Sequence, residues 1–138
     1  MPFLILSVGH NPLVLRERHS TLTAAGYSVT SVYSKEEAMD KLLEGDFDLV
    51  LMCPSLGTDR PLLAKAVRRH RPSIPVVSTM PDENPTLPDC WAYITGSSAN
   101  EIVAAVYEIL ANEQEKFAAG RGANIRHLGI RFSTKASA

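Results

Sequence analysis

With 138 residues, 45% of them hydrophobic and 21% charged, the chain can bury a core without disulfides or a structural metal, and fits one soluble domain with a tail. A formal net charge of -1 excludes a global electrostatic drive towards nucleic acid or an anionic membrane. No apolar run approaches the roughly 20 residues of a membrane span, and the two cysteines, Cys53 and Cys90, lack metal-ligand spacing, which points to a reducing, cytoplasmic setting.

Residues 3–8 are continuously apolar, the pattern of a strand covered on both faces. Asn11-Pro12 then caps a helix that Gly26 stops, although Arg18 and His19 interrupt its apolar stripe of Leu15, Leu22 and Ala25. Residues 27–32 read as a second strand. Ser34 with Glu37 forms a capping box for a helix that buries Ala38, Met39, Leu42 and Leu43 and ends at Gly45. Residues 49–52 form the most hydrophobic strand and lead into Cys53. A third helix opens near Thr58-Asp59-Arg60-Pro61, faces Leu63, Ala66 and Val67 inward, and ends before Pro72. Strands are expected at 74–78 and 91–94. A last helix starts at the Ser98–Glu101 capping box, with Ile102, Val106, Ile109 and Leu110 as its stripe. Between the last two strands Pro81, Pro85 and Pro88 break any helix, so the fourth helix is expected to be short or absent.

Strands alternating with helices imply βαβ units, right-handed crossovers and a parallel sheet. The expectation is a doubly wound α/β domain over 1–119, followed by a basic tail over 120–138. After Glu115 every charged side chain is positive: Lys116, Arg121, Arg126, Arg131 and Lys135. Within the tail, Leu128, Ile130 and Phe132 alternate with His127, Gly129 and Arg131. That pattern would suit a strand added to a sheet edge or a basic contact with nucleic acid. We read the tail as a flexible terminus.

An ordered set of segments carries a resemblance across roughly the first 110 residues. Residues 5–12, 24–27, 36–38, 48–52, 74–77 and 93–95, in this order and spacing, resemble the receiver domain of bacterial response regulators. The resemblance implies a flavodoxin-like, five-stranded parallel sheet of order 2-1-3-4-5, with its site at the carboxyl ends of the strands. There it gathers Gly9, His10, Cys53, Thr79, Thr95 and Gly96.

The residues at those places depart from the family's chemistry. The two acidic positions that hold Mg²⁺ are Gly9 and His10, which removes the oxygen ligands of a hard cation. The acceptor aspartate maps to Cys53 and the phosphate-pairing lysine to Gly96. The hydroxyl position maps to Met80, or to Thr79 with a one-residue shift, and the aromatic switch position is Tyr93. Phosphoryl transfer rests on positioning and charge stabilisation, and the groups that supply both are replaced.

The residues give no other catalytic set. Cys53 beside His10 could be a reactive thiol, but a cysteine ending a buried strand is most simply a small buried hydrophobe. His10 and Cys53 fall short of a tetrahedral metal set, so no metal and no cofactor are expected. Cys90 lies at the opposite strand end from Cys53, too far for a disulfide. Asp46 and Asp48 lie at the wrong edge, Asp59 reads as a helix cap, and Asp82 and Glu83 lack strand support.

The sequence therefore points to a non-catalytic pseudo-receiver that docks a protein partner or a second copy. The expected contact residues are Pro81, Pro85, Pro88, Tyr93, Glu101, Ala105 and Glu108. The alternatives are a phosphorelay acceptor with an altered site on Asp59 or Asp82, a thiol sensor at Cys53, and nucleic-acid binding through the tail alone.

Overall fold

The short apolar runs and capped helices of the sequence become layers on both faces of one sheet. A computed structural model of the chain describes residues 3–79, 92–94, 98–119 and 130–132. The elements are β1 (Leu4–Val8), α1 (Pro12–Ala24), β2 (Ser28–Val32), α2 (Lys35–Glu44), β3 (Leu49–Met52), a 3-10 turn (Pro54–Leu56), α3 (Asp59–His70), β4 (Val76–Thr79), β5 (Ala92–Ile94), α4 (Ala99–Ala119) and β6 (Ile130–Phe132).

Capping sets the helix starts. Asn11 Oδ1 accepts from the backbone N–H groups of Leu13 (3.0 Å) and Val14 (3.4 Å), and Pro12 takes the first helical position. Ser34 Oγ accepts from Glu37 N at 3.0 Å. The Ser98–Glu101 box is reciprocal: Glu101 N donates to Ser98 Oγ and Ser98 N donates to Glu101 Oε1. Thr58, not Asp59, is the cap residue of α3, and Asp59 lies in its first turn, where a carboxylate suits the positive end of the helix dipole.

The strands lie in the order β2-β1-β3-β4-β5-β6. β1 to β5 run parallel, and register aligns Val8 with both Val32 and Met52. Side-chain alternation splits the core. Leu6, Val8, Val50, Met52 and Val76 pack against α2 and α3. Ile5, Leu49, Leu51 and Val77 pack against α4, joined by Leu22 of α1. In α3 it is Leu63, Ala64 and Val67 that are buried, so Ala64 takes the place expected for Ala66.

Two expectations change. The sheet is not five parallel strands alone, because Ile130–Phe132 of the tail adds a sixth strand antiparallel to β5. Without it the outer backbone groups of β5 would lack ladder partners, and the alternating Ile130-Arg131-Phe132 suits that place. Ala105 is 0% exposed and belongs to the core, so it cannot be a partner contact. Ile102, Ala105, Val106, Ile109 and Leu110 recur at helical spacing on one buried face of α4. The fourth helix was expected within residues 80–91, which lie outside the described residues. Among the described residues, no helix is long and apolar enough to cross a membrane.

Candidate functional site: the carboxyl rim of the sheet

At the carboxyl ends of β1 and β3 the chain makes two turns that are stitched to each other. Cys53 N continues the ladder by donating to Val8 O at 2.9 Å. The chain then turns through Pro54–Leu56 to Gly57, whose φ of 57° lies in the left-handed region that glycine adopts without strain. Inside this turn Ser55 Oγ accepts from His10 N at 2.9 Å and from Asn11 N at 3.2 Å. One serine hydroxyl thereby ties the β3 turn to the start of α1.

This closure leaves no room at position 9. A Cβ on Gly9 would sit 2.9 Å from Cys53 Cβ, 3.1 Å from Ser55 Oγ and 3.3 Å from Cys53 Sγ. The resemblance would place a metal-holding carboxylate at this position, and here any side chain would collide with the residue at the acceptor position. His10 offers a ring instead of a carboxylate and points outward, its Nε2 lying 3.7 Å from Asp59 Oδ2. The residues present do not fit a Mg²⁺ ion. Among the described residues, no group of three or more His, Cys, Asp or Glu side chains could hold any metal.

Cys53 itself is 1% exposed. The cation beside it is not His10, as the sequence suggested, but Arg18, whose Nη1 donates to Cys53 Sγ at 2.9 Å. Burial pushes the Cys53 thiol pKa up, and the charge and hydrogen bond of Arg18 only partly oppose it. The thiol is therefore neutral and weakly nucleophilic.

On the sheet's other face Arg60 reaches in from the first turn of α3 and donates from Nη1 to Ser78 Oγ at 3.2 Å. Thr79 ends β4 buried, and its hydroxyl donates to Met52 O in a long bond of 3.4 Å. Buried Ser7, two residues before Gly9, has an Oγ without a hydrogen-bond partner among the described residues.

The structure thus brings together Gly9, Cys53 and Thr79, and sets His10 at the exposed lip. Thr95, Gly96, Pro81, Pro85 and Pro88 lie outside the described residues, as does the side chain of Tyr93. Glu101 is exposed, with its carboxylate engaged in the cap, and Glu108 is half-buried. Sequence reasoning missed Arg18, Arg60, Ser55 and Tyr107, the last a large side chain on α4 that is 64% exposed. A signal existed for Arg18. It falls between Leu15 and Leu22 on the inward stripe of α1, where a cation is costly unless it finds a partner.

No family model and no curated protein matches the chain. Solved structures do. The signal receiver domain of an HD domain-containing protein from Pseudomonas fluorescens Pf-5 has a TM-score of 0.73 at 17% identity, over 86% of this chain and 93% of that one. A CheY-like response regulator receiver domain protein from Methanospirillum hungatei JF-1 has a TM-score of 0.74 at 18% identity, over 84% and 99%. The chemotaxis response regulator CheY4 of Vibrio cholerae has a TM-score of 0.69 at 17% identity, over 80% and 99%. At these identities the likeness concerns the fold: an α/β domain with a parallel sheet, of the CheY-like, flavodoxin-like kind.

Proposed function

We propose that this chain is a signal-transduction protein of the two-component, phosphorelay type that works as a phosphorylation-independent interaction module. It is a pseudo-receiver: the scaffold serves docking in the cytoplasm, and no catalytic step or cofactor is involved. The observation that carries this reading is the closure at Gly9, where the position of a metal-holding carboxylate has no space beside Cys53. The remaining rim groups point the same way, since Cys53 pairs with Arg18 and Thr79 with a backbone carbonyl. Among the described residues of the rim, a phosphoryl group would meet no carboxylate at position 53 and no group of side chains able to hold a metal.

The docking face we assign combines the link carrying Pro81, Pro85 and Pro88, strand β5 with Tyr93, and the exposed side of α4. On α4 the contact residues become Glu101, Tyr107 and Glu108, with Ala105 removed.

The thiol-sensor alternative gains no support from a buried thiol whose pKa is raised. Incubation of the purified chain with Mg²⁺ and acetyl phosphate, followed by intact-mass measurement, tests the proposal. The expected result is no mass addition. A stable phosphoryl adduct would overturn it, and mapping that adduct to Asp59 would establish an acceptor with an altered site.

A further inference from the structure

β6 breaks the pattern of the sheet. Ile130, Arg131 and Phe132 lie antiparallel on the outer edge of β5, opposite Ile94, Tyr93 and Ala92 respectively. The other strands pair parallel, whereas β6 comes from the tail and runs antiparallel. A ladder of three residues holds weakly in water when little else supports it. The β5 edge is therefore a strand acceptor, occupied by a short ladder.

Connectivity bears on where the occupant comes from. α4 begins at Ala99, five residues after Ile94, and its 21 residues carry the chain about 30 Å at 1.5 Å per residue. Yet Ile130 must lie opposite Ile94, at the end of β5 from which the chain leads into α4. Among the described residues, the edge-closing strand is the last element and follows the longest helix. An element placed this way swaps between copies at low cost, because the ladder between copies keeps the same register and the same partners.

From these observations we infer that the β5 edge is a self-association site. Residues 130–132 of one copy pair with β5 of a second, reciprocally, giving a two-fold dimer. This deepens the interaction-module reading by naming a partner, and it rests on the sheet edge, not on the state of Cys53.

Mixed-chain cross-linking tests it. In a Cys90→Ser background, one chain carries Tyr93→Cys and a second, of different size, carries Arg131→Cys. Facing residues of an antiparallel pair lie about 4.5–5.5 Å apart at Cα, within disulfide reach. Oxidation of the mixture is expected to give a covalent heterodimer. Failure to cross-link, with an internal disulfide in a chain carrying both substitutions, would overturn the inference and keep the strand within its own copy.

Light scattering of the unsubstituted chain over a concentration series covers the case in which these variants fold poorly. Mass should rise from one chain to two. Arg131→Pro, or Ile130→Pro with Phe132→Pro, removes the donors that face β5 and should weaken dimerisation by about tenfold or more. A monomer at every concentration, or dimerisation that both proline variants leave unchanged, would overturn the inference. Phosphoryl addition with an intact dimer would overturn only the phosphorylation-independent reading. A strict monomer that takes no phosphate would overturn only the dimer.

Discussion

Midway along β1 and β3 the sheet is apolar on both faces; two residues further on, at the carboxyl rim, it becomes a set of polar groups bonded to one another. Leu49, Val50, Leu51 and Met52 are each 0% exposed and answer only to volume and hydrophobicity. Gly9, Cys53 and Ser55 answer to close contact and to single hydrogen bonds. The difference teaches that the interior of a strand and its rim answer to different demands. The middle of a strand keeps the fold whatever the rim carries, and the rim can fill itself with its own side chains without disturbing the strands below.

Substitutions on the two levels sharpen this contrast. The largest effect is expected mid-strand. Leu51→Ala deletes a fully buried side chain and should cost about 2–5 kcal/mol in urea unfolding. A loss below about 1 kcal/mol would mean that the strand interior is looser than described.

An intermediate effect belongs to position 9 at the rim. Gly9→Ala brings a methyl group to 2.9 Å from Cys53 Cβ and should destabilise by about 1–3 kcal/mol, the usual range for overpacking. His10→Ala, one residue on at the exposed lip, should stay within about 0.5 kcal/mol. Equal tolerance at both positions would show that the two turns can part and leave space for a carboxylate.

The smallest effect is a dependence on pH. The folded pKa of Cys53 lies above that of the free thiol, about 8.5. The folded state then keeps its proton while the unfolded thiol loses it. The stability so contributed is complete below about pH 8.5 and is lost as pH rises from there through the folded pKa. Cys53→Ala should flatten that alkaline decline relative to the parent chain, a small effect because Arg18 opposes the shift. An unaltered pH profile would contradict a buried, neutral thiol.

The fold was readable in the sequence because its determinants are local. The caps at Asn11, Ser34 and Ser98, the apolar runs at 4–8 and 49–52, and the stop at Gly26 each act within a few residues. The absence of carboxylates at Gly9 and His10 was readable too, since it needed only identities. The bonds that close the rim were not. Arg18 meets Cys53 from 35 positions away, Arg60 meets Ser78 from 18, and Ser55 meets the N–H of His10 from 45. No periodicity connects such pairs, although the cation breaking the stripe between Leu15 and Leu22 hinted at one of them. Ala105 was misplaced because alanine suits either side of a helix, and only its neighbours Ile102 and Ile109 fix the side. The tail strand was undervalued because three alternating residues form a strand only where a sheet edge stands ready to receive them.

The most direct measurement is a Mg²⁺ titration followed by the backbone amide resonances of residues 9, 10 and 53. A rim filled by its own side chains should leave these signals unmoved up to millimolar Mg²⁺. Saturable shifts confined to those three amides would contradict it, because they would require a seat for the ion where even a Cβ on Gly9 would crowd Cys53.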